Sequence, residues 1–180
     1  MKNIFTSHFI VNQKTKEIDW QGVYDECLPK VYHYFCYKVG DPILAEDLTA
    51  ITLEKAWLGR VNFHCEIGPF QTWLMGIARN VVKDYFRKPV REVPLSDSSK
   101  HNLIGFWDDR MQERLDFEFI SSILAQLPER ERDLIAYKYG AELNNREIAK
   151  LTGLSETNVG TILYRIVEKL RIEWEKYHER

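Results

Sequence analysis

Thr161, Tyr164 and Arg165 stand at outward positions of a stretch whose residue types suit contact with a DNA base edge. A guanidinium can bond a guanine edge or a phosphate, a threonine hydroxyl can donate or accept, and a tyrosine ring can meet a thymine methyl. The stretch runs from Asn144 to Arg171, and its spacing says how those side chains are held. Asn144 and Ser155 each offer an oxygen to the open N–H groups of a first helical turn, and Glu147 stands where a capping box needs it. Gly153 suits the left-handed backbone of a tight turn, Ala149 leaves room for two helices to cross, and Ile148, Leu154, Val159 and Ile162 fill the space between them. This is a helix-turn-helix pattern whose recognition helix begins at Ser155. Its inner stripe is Val159, Ile162, Leu163, Ile166, Leu170 and Trp174, which leaves Glu156, Thr157, Gly160, Thr161, Tyr164, Arg165 and Lys169 facing out. A helical hairpin that binds nothing is the plainer alternative. Cations on this helix are few, so weak isolated affinity for DNA is expected.

The charge balance of the whole chain hides a strong pattern. Its 180 residues carry 25 Lys plus Arg against 27 Asp plus Glu, a net charge of −2. Residues 40–54 hold Asp41, Glu46, Asp47 and Glu54 with no cation, whereas residues 70–91 hold Arg79, Lys83, Arg87, Lys88 and Arg91 against Asp84 alone. An acidic and a basic segment are therefore neighbours, and residues 90–118 are acidic again. The chain has no run near the roughly 18 apolar residues of a membrane helix, and Met1–Ile18 mixes charges unlike a signal peptide. A cytoplasmic protein without membrane insertion is expected. Cys27, Cys36 and Cys65 are odd in number and form no C-x-x-C pair, which suggests reduced thiols. His33 and Cys36 at H-x-x-C spacing, with His64 and Cys65, are the weak zinc candidates, and Asp47, Glu54 and Asp84 the weak magnesium ones. Each already fits a helical stripe or a charged face, so no metal and no cofactor is expected. Without a Gly-rich phosphate loop or a G-x-S-x-G motif, no enzymatic activity is expected either.

The elements that must carry these residues read as helices throughout. Trp20, Val23, Tyr24, Cys27, Leu28, Val31, Phe35 and Val39 form one stripe, with a kink or restart expected at Pro29. After the stop Gly40-Asp41-Pro42 comes a second helix with Ile43, Leu44, Leu48, Ile51, Leu53 and Trp57 inward and its acids outward. A loop from Gly59 to Pro69 leads to a third, with Phe70, Trp73, Leu74, Ile77, Ala78, Val81, Val82, Tyr85 and Phe86 inward. Periodicity fails from Pro89 to Gly105. It resumes with Leu115 to Leu127, a short helix from Glu131 to Tyr139 stopped at Gly140, and the helix-turn-helix. The chain is thus read as all-α, two small helical domains joined by a flexible linker. Its divisions are 1–19 an N-terminal extension, 20–88 a first domain, 89–112 a linker and 113–180 a second domain.

Three stretches together resemble a compact sigma factor of bacterial RNA polymerase, the extracytoplasmic-function (ECF) group of the sigma-70 family. They are Ala45 to Trp57 (AEDLTAITLEKAW), Phe70 to Lys88 (FQTWLMGIARNVVKDYFRK), and Leu127 to Arg132 (LPERER) followed by the helix-turn-helix. The resemblance covers about residues 20–88 and 113–174. It implies a factor that binds core RNA polymerase, recognises the minus-35 and minus-10 promoter elements and promotes DNA melting.

By this resemblance Glu46, Asp47 and Thr52 meet the basic clamp of the polymerase's largest subunit, and the second domain meets the flap of the second-largest. The minus-10 set is Trp73, Arg79 and Asn80 with the loop residues Asn62, Phe63 and His64, which are assigned by location, and Lys83, Arg87 and Lys88 on phosphates. Melting needs a pocket for an extracted base and cations for the freed strand. The minus-35 set is Ser155, Thr157, Gly160, Thr161, Tyr164, Arg165 and Lys169. An anti-sigma factor is a further expected partner. The rival function is a sigma-like decoy that binds an anti-sigma factor without initiating transcription.

Overall fold

A computed structural model of the chain describes residues 19–64, 66–87 and 111–179. The sequence readings that concern Cys65, Lys88, the extension before Asp19 and the linker lie outside these residues. Among the described residues seven α-helices run in chain order: α1 Trp20–Val39, α2 Pro42–Leu58, α3 Phe70–Arg87, α4 Met111–Ala125, α5 Glu129–Ile135, α6 Asn145–Thr152 and α7 Glu156–His178. A 3₁₀ turn at Arg60–Asn62 precedes α3, and a π-turn at Ala136–Gly140 extends α5. No strand occurs among the described residues, and the all-α reading holds.

Local chemistry sets most boundaries. Asp19 caps α1 by accepting from the Gln21 N–H, and Asp41 caps α2 by accepting from Ile43 at 2.9 Å, with Pro42 at the first helical position. Gly40 ends α1 at φ 72°, a left-handed value that a Cβ disfavours. The helix does not restart at Pro29: α1 continues through it as one 20-residue element.

The core of the first half comes from α1, α2 and α3. Cys27, Val31 and Phe35 meet Ala45, Leu48 and Ala56 of α2 and Leu74, Ala78, Val81 and Val82 of α3, all buried. The α2 register differs from expectation. Ile43, Ile51 and Trp57 are 66%, 39% and 48% exposed, while the buried positions belong to Ala45, Leu48, Thr49, Thr52 and Ala56. Short side chains let α2 lie close to its neighbours. The threonines tolerate burial because their hydroxyls donate to the Ala45 and Leu48 carbonyls, each at 2.7 Å. Tyr85 and Phe86 also point outward from the last turn of α3.

The second half packs α4 to α7 around Leu124, Leu127, Leu134, Ile135, Ile148, Val159 and Ile166. It also meets the first half, the two sharing one continuous apolar cluster. Tyr34 of α1 stacks on Tyr137 of the π-turn, with centroids 5.0 Å apart and planes 21° off parallel. Burial raises both phenol pKa values, that of Tyr137 to about 12. Gly140 reaches the α1 backbone so closely that a Cβ there would lie 2.7 Å from Tyr34 N and Cα.

Cys27 and Cys36 are free thiols, and burial pushes each up to about 11. Both are expected to resist iodoacetamide at pH 8 in the native protein and to react when it is unfolded; rapid native alkylation of either, read by peptide mass, would contradict their packing. Because their folded pKa lies above the ordinary 9.0, their contribution to stability is whole below pH 9 and declines between pH 9 and 11.

Candidate nucleic-acid interface

The recognition unit is built as its caps require. Asn144 accepts from the Glu147 N–H at 3.0 Å while the Glu147 carboxylate accepts from the Asn144 N–H at 2.9 Å, a complete capping box at the start of α6. Gly153 turns the chain at φ 76°, and Ser155 caps α7 through the Asn158 N–H at 3.2 Å. Val159, Ile162, Leu163 and Ile166 are buried, and this fixes the face of α7 that remains outside. That face carries Ser155, Thr157, Thr161, Tyr164, Arg165 and Lys169, all exposed, with Tyr164 at 68%. The seven minus-35 candidates therefore share one side of α7 and its cap. Gly160, half-buried, marks its border with α6: a Cβ there would lie 3.3 Å from Asn145 Nδ2.

Because that neighbour is the tip of a flexible side chain, Gly160→Ala is expected to gain helix propensity. Unfolding free energy should rise by about 1 kcal/mol. Thermal denaturation checks this, and a lower midpoint would show that Asn145 cannot yield.

The minus-10 candidates separate into two groups. Near the start of α3, the Phe63 ring lies 5.3 Å from Phe70 and 5.4 Å from Trp73, anchoring the loop after the 3₁₀ turn. Phe70 also meets Trp20, which meets Trp57 edge-on at 4.9 Å, and Arg60 lies over the Trp57 ring. Asn62 and His64 are exposed beside this aromatic platform. Such rings can stack a nucleobase, because every base has a π face. Asn80 lies two helical turns further along the same face of α3, about 10 Å down its axis. Lys83 and Arg87 follow at spacings of three and four, exposed, with Arg87 paired to Asp84 at 3.0 Å. Together they line a cationic track leading from the aromatic platform.

Arg79 departs from this set. It lies about 100° around the helix from Asn80, and its Nη1 donates to the Leu151 carbonyl of α6 at 2.5 Å. The last carbonyls of a helix lack internal partners and carry its negative dipole end, so a guanidinium is well placed there. In this conformation Arg79 caps α6, so its guanidinium is engaged although it lines the same cleft as Lys83 and Arg87.

The acidic helix also sorts its candidates. Asp47 is exposed and Glu46 half-buried, but Thr52 is fully buried with its hydroxyl bonded to Leu48. Thr52 thus leaves the expected contact surface. In its place Ile43, Asp47, Ala50, Ile51, Glu54 and Leu58 follow one another along the outer face of α2. The sequence reading placed Ile43 and Ile51 inward and did not name Leu58. The mixed acidic and apolar stripe is suited to a basic partner with apolar side chains between its charges.

Fold and exposed residues define a helical DNA-binding protein with one recognition helix, one aromatic and cationic track and one acidic docking helix. Residues 23–92 match the family model described as Sigma-70 region 2, and residues 120–170 match Sigma-70, region 4. The ECF RNA polymerase sigma factor SigM of Bacillus subtilis is 28% identical over 151 residues, 83% of this chain and 91% of that protein. SigL of Mycobacterium tuberculosis is 28% identical over 157 residues, 84% of this chain and 86% of its own length. Among solved structures, the sigma factor RpoE in complex with the anti-sigma factor NepR from Bartonella quintana superimposes with a TM-score of 0.65 at 18% identity, covering 87% of this chain and 97% of that one. CnrH in complex with the cytosolic domain of CnrY gives 0.62 at 20% identity, covering 87% of each chain. The chain belongs to the sigma-70 family, among its ECF RNA polymerase sigma factors. RNA polymerase and promoter DNA are its partners.

Proposed function

We propose that the protein docks on core polymerase through the outer stripe of α2, against the basic clamp of the largest subunit, with its second half on the flap of the second-largest. The aromatic platform at Phe63 and Trp73 receives a minus-10 base extracted from the duplex, and Asn80, Lys83 and Arg87 hold the freed strand. The outer face of α7 reads the minus-35 element in the major groove. The protein works in the cytoplasm and performs no catalysis itself; bond formation belongs to the polymerase. A further partner is an anti-sigma factor, in keeping with the solved relatives recorded in such complexes.

The observation that carries this reading is the segregation of charge and aromatic surface. An acidic, partly apolar stripe covers α2, while cations and exposed rings follow α3. A decoy for an anti-sigma factor has no use for the second surface. Reconstituted transcription with core polymerase tests the point: promoter-dependent starts are expected, and core binding without initiation would favour the decoy. Among the described residues no helix is long and apolar enough to cross a membrane.

A further inference from the structure

Among the described residues Lys38 is the only charged side chain that is buried, at 5% exposure. An ammonium taken out of water is costly unless its donors are placed. Asp133 takes one donor at 2.6 Å and Glu129 approaches a second at 3.5 Å, which leaves the third without a partner among those residues. Lys38 lies on the wall of a cleft of about 260 Å³ between α1, α3 and α5.

The charge around this cleft suits phosphate. Four cations, Lys38, Arg79, Lys83 and Arg87, line it with two carboxylates, Glu129 and Asp133, a surplus of two positive charges. Both acids are directed at Lys38, and Arg87 is paired with Asp84 at 3.0 Å. Lys83 makes no ion pair among the described residues. Arg79 gives Nη1 to the Leu151 carbonyl and keeps the rest of its guanidinium fork. Arg79, Lys83 and Arg87 follow one another along α3 at about 6 Å per step.

Two further walls recognise groups that inorganic phosphate lacks. Phe86 is 63% exposed beside the cations, and Tyr85 holds its ring edge-on at 5.2 Å. Such a ring is a stacking surface for a nucleobase. Glu129, 80% exposed, offers acceptor oxygens of the kind that bind ribose hydroxyls. The cleft is just below the roughly 300 Å³ at which small-molecule clefts begin, room for one mononucleotide.

We infer that this cleft binds a free nucleoside di- or triphosphate, with the phosphates on Arg79, Lys83 and the spare donor of Lys38, the base on Phe86 and the ribose hydroxyls on Glu129. The inference goes beyond the sigma-factor reading and does not depend on it. Only the α3 cations are common to this site and the promoter track; the buried ammonium and the ribose acceptor come from α1 and α5.

Equilibrium dialysis of the full-length protein, free of polymerase and magnesium and at physiological ionic strength, tests it with ATP, GTP and inorganic pyrophosphate as probes. A single equivalent of either nucleotide should bind saturably, and pyrophosphate at least about tenfold more weakly. Lys83→Ala should weaken all three about tenfold. Phe86→Leu should weaken the nucleotides about tenfold and leave pyrophosphate unchanged. Glu129→Ala should erase the preference for ATP over its 2′,3′-dideoxy form. All three side chains are exposed, so helix content by circular dichroism should match the wild type. Absence of saturable binding, equal affinity for pyrophosphate and ATP, or nucleotide affinity unmoved by Lys83→Ala and Phe86→Leu would overturn the inference. A wild type that initiates transcription but binds no nucleotide sinks this inference alone, and one that binds nucleotide but never initiates sinks only the sigma reading.

Discussion

Promoter opening is expected to fall by at least about 100-fold when Arg79 and Asn80 are both changed to alanine, while binding to core polymerase persists. Holding a base out of the stack costs a few kcal/mol, and the cationic track is what offsets it. Asn80 stands on that track between Trp73 and Lys83, with its side chain exposed. Arg79 lines the same cleft as Lys83 and Arg87, with its guanidinium bonded to Leu151. The substitution therefore has two consequences of opposite sign. It removes groups that hold the melted strand, and it weakens a contact between the two halves, which should leave polymerase binding unchanged or slightly stronger. Permanganate footprinting of open complexes alongside a polymerase-binding assay separates them; normal footprints from the double variant would contradict the assignment.

Charge reversal at Asp47 is the second large effect. Asp47 lies on the outer stripe of α2 between Ile43 and Ile51, exposed. The Asp47→Arg change should leave the fold intact, shifting stability by less than about 1 kcal/mol. Against a basic partner, juxtaposed like charges cost several kcal/mol, so affinity for core polymerase should drop on the order of 100-fold. The loss should shrink in high salt, where exposed charges are screened. Unchanged co-purification with polymerase at low salt would show that α2 docks elsewhere.

What could be seen in the sequence is largely what local chemistry decides. Asn144 with Glu147, Gly153 and Ser155 set the helix-turn-helix through contacts within a few residues, so their types and spacing suffice. The outer face of α7 follows from its buried stripe for the same reason. The α2 register escaped because polarity is a poor guide where helices pack closely. Thr49 and Thr52 fill tight positions and satisfy their hydroxyls internally, which leaves Ile43 and Ile51 outside.

The joining of the two halves depends on pairings a hundred residues apart, such as Tyr34 with Tyr137 and Lys38 with Asp133, and no periodicity reports those. One signal was nonetheless present. From Val31 to Val39 the aromatic residues Tyr32, Tyr34, Phe35 and Tyr37 point to different faces, and a helix apolar on more than one side is covered on more than one side. Arg79 shows the converse: a cation in a DNA-binding stretch can also be a helix cap when a distant helix end is brought to it.

The central claim is that this chain directs polymerase to defined starts, and reconstituted transcription measures that most directly. Purified full-length protein, core polymerase and fragmented genomic DNA should yield transcripts whose 5′ ends cluster at discrete sites that share upstream sequence and vanish without the protein. Transcripts that start at random, or that are the same with and without it, would contradict the account.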